Sequence, residues 1–182
     1  MNFRAYFVKM ALRGISPMIW RRFCIPGQTS LAQLHQVIQT AYSWDDEYLH
    51  QFHIYGKDYG ISYAGGLCFS DDASRVYLDN FEFDVGDKFS YEYNFFDHWI
   101  IDIRIENIKV SEDAYVLGCL KGNGMFGVDT DDETKLILKL FNVIRKADDT
   151  TTVTDIVPYI NAIKALRFNV ERINEELAEQ II

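Results

Sequence analysis

The chain has 182 residues, of which 48% are hydrophobic and 15% aromatic, enough to bury the core of one domain. No apolar run approaches the roughly 20 residues that a membrane-spanning helix needs, and the N-terminus lacks a signal-peptide pattern. Three well-separated cysteines without a CxxC pair predict a reduced, cytoplasmic protein.

The net charge of −9 is distributed unevenly. Residues 1–44 carry five basic side chains and no acidic one, so this segment has a charge of +5 and the rest of the chain −14. An acidic protein is repelled by nucleic acid at long range, although a segregated basic face can still bind phosphate. We expect these bases mostly to lie solvated on two strands.

Residues 3–12 and 18–25 predict two antiparallel strands, since apolar side chains alternate in both and Gly and Pro separate them. A helix follows. Ser30 and Gln33 have the spacing of a capping box, in which each side chain bonds the other residue's backbone amide. The apolar stripe of this helix is Leu31, Leu34, Ile38 and Ala41.

Residues 49–55 predict a strand with His50 on one face and His53 on the other. Residues 56–74 look like an excursion loop, and residues 75–83 could hold a short strand and turn. Residues 88–106 alternate strongly and predict a long hairpin with a tight connection at 96–98.

Residues 118–132 are rich in glycine and acid and predict a loop. Helical periodicity follows, with helix starts expected near Thr130, Pro158 and Asn169. We therefore predict an α+β fold: a mainly antiparallel sheet with a long hairpin, one N-terminal helix packed on it and a C-terminal group of about three helices. The whole chain, 1–182, forms one domain, with a sheet-plus-helix core in 1–128 and a helical part in 129–182.

Five blocks of the chain resemble the motifs of a known family, the plasmid pRiA4b ORF-3-like proteins. The N-terminal blocks are Leu12, Ile15, Pro17, Ile19, Trp20, Arg21 and Arg22; then Leu31, Leu34, His35, Val37, Ile38, Gln39, Ala41, Tyr42 and Trp44; then Leu49, His50 and Phe52. The later blocks are Tyr91, Tyr93, Phe95, Asp97 and Trp99, and then Phe168, Asn169, Ile173, Asn174 and Leu177. The chain departs from the pattern at Asn94, Phe96 and Ile101, where relatives have Asp, Gly and His.

The resemblance implies no established activity, although family members are often described as mobile-element passengers or as related to a resolvase. A serine recombinase needs an activated Ser among arginines. Ser16 and Ser30 instead look like turn and cap residues. Among eleven tyrosines, none stands out as a nucleophile.

A candidate polar site is formed by Arg21, His35, His50, Asp97 and Trp99. Histidines with a nearby acid, Asp45, Asp97 or Asp102, are the groups that a metal site or a general base would use. Because His50 and His53 point to opposite faces of a strand, we predict no metal site and no cofactor. The favoured interpretation is that His35 and His50 are buried, hydrogen-bonded residues that join the helix to the sheet.

Three other features have functional and structural interpretations. Arg21 and Arg22 are possible phosphate contacts, although an arginine paired with Asp97 is favoured. The GxGxxG sequence at 122–127 is a weak phosphate-loop match, because acidic residues follow it. The aromatic run Phe89, Tyr91, Tyr93 and Phe95 could stack on bases, but is more typical of a core under a helix.

These patterns favour a non-catalytic cytoplasmic binding protein of a mobile-element-associated family, with a protein or small-molecule partner and no membrane. One alternative is a nucleic-acid-associated accessory protein that uses the basic N-terminal strands. A second alternative is a metal-dependent or His/Asp hydrolase that uses His35, His50 and Asp97.

Overall fold

A computed structural model describes residues 2–16, 18–62, 68–124 and 168–181. These residues form one seven-stranded antiparallel sheet with two α-helices and a short 3-10 helix. The strands are β1 Phe3–Leu12, β2 Trp20–Pro26, β3 His50–Ile54, β4 Lys57–Tyr59, β5 Lys88–Tyr93, β6 Trp99–Ser111 and β7 Gly118–Asn123. The helices are α1 Leu31–Tyr42 and α2 Val170–Ile181, and the 3-10 helix is Leu78–Phe81. In this part of the chain, no helix is both long and apolar enough to cross a membrane.

The strands are arranged in the order β4-β3-β5-β6-β1-β2-β7. The long hairpin of β5 and β6 is present, with Phe89 opposite Ile103 and Tyr93 opposite Trp99. Strands β1 and β2 form the N-terminal hairpin. The sheet therefore places the two hairpins side by side, with β6 next to β1.

One face of the sheet carries the core. Its inward side chains come from alternate positions of the strands, because successive side chains of a strand point to opposite faces. Helix α1 packs on this face and buries its apolar stripe. The capping box is confirmed, since the Ser30 hydroxyl accepts from the Gln33 amide at 3.1 Å and the Gln33 side chain accepts from the Ser30 amide at 2.9 Å.

The opposite face is called the open face below. Apart from Ala5 and Cys24, its side chains on β1, β2, β5 and β6 are exposed or half-buried. It carries several charged residues, among them Lys9, Arg22 and Arg104. Lys9 and Arg22 lie on this face, and Arg4 and Arg13 are also partly or fully exposed, so the basic side chains are solvated as expected, with the exception of the buried Arg21.

The predicted C-terminal group of about three helices is wrong, and the described fold is mostly β. One C-terminal helix, α2, is present; it buries Ile173 and Leu177 beside β7 and α1. The helices expected to start near Thr130 and Pro158 lie outside the described residues. Helical periodicity is a local signal, and sequence spacing alone does not supply the tertiary contacts that stabilise most helices.

The sheet is also larger than the sequence predicted. Strand β4 falls in the expected excursion loop, and β7 falls in the expected glycine-rich loop. Both are edge strands that pair through backbone hydrogen bonds with a stronger neighbour, β3 or β2. Short edge strands need little apolar alternation of their own, so composition misidentified them as loops.

Candidate functional site

Two histidines meet beneath α1. His35 comes from the helix and His50 from the first position of β3, and their rings stack with centroids 3.6 Å apart and planes 10° apart. Both are buried, whereas His53 on the same strand is exposed. The predicted division of His50 and His53 between two faces is thus confirmed.

Each nitrogen of the His35 ring has a partner. Nδ1 lies 2.8 Å from the Tyr91 hydroxyl, and Nε2 lies 2.8 Å from Oδ1 of Asp46. The Gln39 amide supports both partners, since its Nε2 donates to the Tyr91 hydroxyl at 2.9 Å and its Oε1 accepts from the Asp46 amide at 3.0 Å. His35 is therefore held as the sequence predicted, as a hydrogen-bonded link between helix and sheet.

His50 is different. It is 2% exposed, and among the described residues neither of its ring nitrogens has a hydrogen-bond partner. Burial, with a smaller contribution from His35, lowers the pKa of His50 to about 3. Burial also lowers the pKa of His35, and the Asp46 carboxylate only partly opposes this effect. Both rings are therefore neutral at pH 7.

A polar cleft of about 550 Å³ opens beside this pair, between the C-terminal half of α1 and α2. Gln39 and Asp46 line it, and on the α2 side so do Arg172 and Glu176. The Asp46 side chain is 40% exposed, so it connects the buried His35 ring to solvent.

Arg21 lies apart from the histidines as a buried structural cation. It is 0% exposed, and its guanidinium donates to the carbonyls of Trp20, Ala41 and Asn123 at 2.8–3.1 Å. It also stacks on Tyr42 and on Phe168 near α2. Burial lowers the pKa of Arg21. This side chain fastens α1 to β2 and β7, so of the two predicted phosphate contacts only Arg22 reaches solvent.

Asp97 and Trp99 lie at the connection between β5 and β6. Asp97 is exposed and accepts from the Asn94 side chain at 3.1 Å, so its described contact is neither an arginine nor a histidine. Trp99 is half-buried against the edge of the core. Of the five predicted site residues, only His35 and His50 are in direct contact in the described structure. Arg21, Asp97 and Trp99 each contact other residues.

Arg22 belongs to a group of four cations on the open face, called the basic row below. Strand register places Lys9 opposite Arg104 on one side and opposite Arg22 on the other, and Arg22 opposite Lys121. Directly opposed residues of antiparallel strands project to the same face. The row therefore crosses β6, β1, β2 and β7 at about 4.8 Å per strand, or roughly 14 Å in all.

Two sequence motifs have structural roles. Gly122 is the first glycine of the GxGxxG match. A Cβ at this position would lie 2.6 Å from the ring of Phe168, the residue that precedes α2 by two positions, so the packing of Phe168 requires glycine here. Phe89, Tyr91 and Tyr93 are buried core residues, as the sequence favoured, whereas Phe95 is half-buried beyond the end of β5.

Sequence reasoning missed Asp46, Gln39 and Tyr91 as partners of His35. Asp46 stands in an acidic loop among Asp45 and Glu47, and nothing in its type or spacing marks it out. Asp46 follows the end of α1 in a left-handed backbone conformation, φ 59°, and this conformation brings its side chain to His35. Such a loop geometry depends on tertiary packing and leaves no periodic signal.

Comparison with known proteins establishes the family. The plasmid pRiA4b ORF-3-like protein profile matches residues 4–174. The chain belongs to this family. The uncharacterized protein y4hQ of Sinorhizobium fredii (strain NBRC 101917 / NGR234) is 33% identical over 100 residues, 54% of this chain and 52% of that protein. The chain thus matches about half the length of this relative.

The fold of this pRiA4b ORF-3-like protein has a counterpart among solved structures. A protein of unknown function from Methanosarcina mazei Go1, MM3350, has a TM-score of 0.65 and 23% identity, over 93% of this chain and 96% of the other. At this identity the likeness shows the fold alone.

Three of the departures from the family motif lie in or just after the turn between β5 and β6. Asn94 adopts φ 52° and its side-chain oxygen accepts from the Phe96 amide at 3.2 Å, a left-handed conformation that Asn tolerates well. Phe96 is 93% exposed, and Ile101 is fully buried in the core. The turn therefore carries an exposed apolar tip at Phe96, and position 101 is a core residue and not a histidine.

Proposed function

We propose that this protein is a non-catalytic binding protein that holds single-stranded nucleic acid on the open face of its sheet. The observation that carries the proposal is the basic row, four cations aligned across four neighbouring strands. A phosphate backbone is the ligand that such a line of positive charge attracts most strongly.

The electrostatics of the open face support this proposal despite the net charge of −9. Glu106 lies within the row and pairs with Arg22, at 2.6 Å between Oε2 and Nε. That hydrogen bond, with Lys9 and Arg104 nearby, holds the pKa of Glu106 below its usual range. One carboxylate among four cations leaves the row with a net positive charge.

Two aromatic rings accompany the row. Trp20 lies beneath Lys9 and Arg22, with their charged groups 5.3 and 4.8 Å from the ring centroid, and Phe7 lies beneath Lys109 at 5.1 Å. Both rings are half-buried on an open sheet. Bases of a single strand stack on such rings, whereas a duplex keeps its bases internal. This favours a single strand over a duplex.

The cellular setting is part of the proposal. The three cysteines form no disulfide, which supports a reducing compartment such as the cytoplasm. An association with mobile elements follows from the family's usual description and is proposed on that ground alone.

Fluorescence polarisation with a labelled single-stranded oligonucleotide, measured across a salt series, tests the proposal. We expect binding that weakens with salt, and a smaller salt slope for the double variant Arg104→Ala and Lys121→Ala. Each phosphate contact contributes about −0.7 to the slope of log K against log salt for a single strand, so the double variant should lose about 1.4.

The matched control is Lys57→Ala, because Lys57 is an exposed cation on β4 at the far edge of the sheet. Its salt slope should equal that of the unmodified protein. No binding at low salt, or an unchanged slope in the double variant, would disprove the proposal. Tighter binding of a duplex would disprove the choice of a single strand.

A further inference from the structure

We propose that His35, Asp46 and His50 form a binding site for one divalent first-row transition metal ion, called the histidine site below. One potential ligand atom from each residue lies within 4.8 Å of the other two. The site lies on the core side of the sheet, beneath α1, and does not depend on the proposed nucleic-acid binding.

The unpaired ring nitrogens of His50 are an independent indication that a ligand binds here. A buried polar group without a hydrogen bond costs on the order of 1–3 kcal/mol, so such groups are rare unless something binds them. His50 is 2% exposed and among the described residues has a partner on neither nitrogen. Its ring stacks on that of His35 at a centroid distance of 3.6 Å, so its nitrogen lone pairs lie parallel to the His35 plane. A metal ion bound in the plane of the His50 ring would give one of its two nitrogens a partner.

The surroundings of His35 already match the outer shell of a metal-bound histidine. Metal-ligating histidines donate their second ring N–H to an oxygen, which fixes the ring and its tautomer. The Tyr91 hydroxyl lies 2.8 Å from Nδ1 of His35 and is itself held by Gln39. With the proton on Nδ1, Nε2 offers its lone pair on the side of Asp46, the second ligand.

The three ligand atoms already lie close to the separations found in a coordination sphere. Zinc bonds of about 2.0–2.2 Å to nitrogen and oxygen imply ligand atoms roughly 3.4 Å apart in a tetrahedron. Nε2 of His35 and Oδ1 of Asp46 are closer than this, at 2.8 Å, and the widest separation in the group is at most 4.8 Å. The ligand atoms therefore need to shift by about 1 Å, and the stacked rings must tilt so that an in-plane lone pair of each points at the ion.

The donor set indicates the class of metal. Two imidazoles and one carboxylate suit Zn²⁺, Fe²⁺, Co²⁺ or Ni²⁺, whereas Mg²⁺ and Ca²⁺ prefer oxygen ligands alone. Imidazole ligates a metal ion through an unprotonated ring nitrogen. Asp46 is 40% exposed beside the polar cleft, so an ion can reach the site from solvent.

Metal titration of the untagged full-length chain, first stripped with a chelator, tests the proposal. We expect one Zn²⁺ per chain by calorimetry, and Co²⁺ should give the visible absorption bands of a low-symmetry, four- or five-coordinate ion. His50→Phe keeps a stacked ring and removes a ligand. It should weaken Zn²⁺ binding more than about 100-fold, since changes even in the outer shell cost roughly 10–100-fold.

His53→Phe is the matched control, because His53 lies on the same strand but is exposed, with its Nδ1 2.7 Å from Asp58. It should bind Zn²⁺ as the unmodified chain does. If circular dichroism shows that His50→Phe does not fold, Asp46→Asn tests the proposal instead. Asp46 is partly exposed, so this variant should fold, and the loss of its carboxylate should weaken Zn²⁺ binding. A chain that binds no Zn²⁺, or a loss of binding in His53→Phe equal to that in the ligand variants, would overturn the proposal.

Discussion

Adjacent arginines in β2 have opposite structural roles. Arg21 points into the core, where three backbone carbonyls accept from its guanidinium. Arg22 points to the open face and pairs with Glu106 while half-exposed. Strand alternation alone separates them, because neighbouring residues face opposite sides of a sheet.

This difference predicts unequal effects on stability. Arg21→Ala should lower the free energy of unfolding by about 3 kcal/mol, because it leaves buried carbonyls without donors. Arg22→Ala should cost less than about 1 kcal/mol, since exposed ion pairs contribute little. Urea unfolding followed by circular dichroism measures both. Equal losses in the two variants would contradict the structural role given to Arg21.

At the scale of elements, the Asn174 side chain hydrogen-bonds α2 to the edge strand β7. The Asn174 amide donates to the Cys119 carbonyl at 3.0 Å, and its oxygen accepts from the Cys119 amide at 2.7 Å. This pair of bonds continues the hydrogen-bonding pattern of β7, which has no strand neighbour on that side among the described residues. Ile173 and Leu177 beside it are buried.

Asn174→Ala should therefore uncouple α2 from β7. We expect a loss of about 2 kcal/mol in the free energy of unfolding, because two backbone groups lose their partners. Faster hydrogen exchange should appear at the Cys119 amide, measured by mass spectrometry or NMR. Glu175→Ala, an exposed neighbour on the same helix, is the control and should leave that exchange rate unchanged. Equal protection in both variants would show that Asn174 does not hold the helix.

At the scale of the whole molecule, the sheet separates an apolar side from a charged side. The core side holds the aromatic residues of β5 and the histidine site, while the open face holds the basic row. The two proposed binding sites are therefore on opposite sides of one sheet. Variants of one should leave the other's ligand affinity unchanged.

The same partition predicts the reactivity of the cysteines. Cys24 and Cys119 are buried and Cys68 is exposed. Burial raises the pKa of the Cys24 thiol, and raises that of Cys119 to about 11. Because the thiolate is the reactive form, raising the pH towards 11 should speed modification of Cys119, and at pH 8 this thiol should stay inert.

A colorimetric thiol reagent added to the native protein at pH 8 should therefore show one fast-reacting thiol. Cys68→Ser should abolish that fast phase, and denaturant should release the remaining two. Two or more fast thiols in the native chain would contradict the burial of Cys24 and Cys119.

Local patterns determined much of this protein. Strand alternation placed the two hairpins, and a capping box at Ser30 located the start of α1. The alternation of side chains along β3 predicted that His50 and His53 lie on opposite faces of the sheet. The ordered motif blocks identified the family. Each of these signals comes from residues close together in the chain, so sequence alone contains them.

Tertiary structure decided the rest, since it depends on which distant residues meet. Strands β4 and β7 exist because a neighbouring strand pairs with them, and the fold proved mostly β as a result. The basic row needs the register of four strands, from Lys9 to Lys121. The histidine site needs a helix, a strand and a loop to converge, and only packing brings Asp46 to His35 and leaves His50 without a partner.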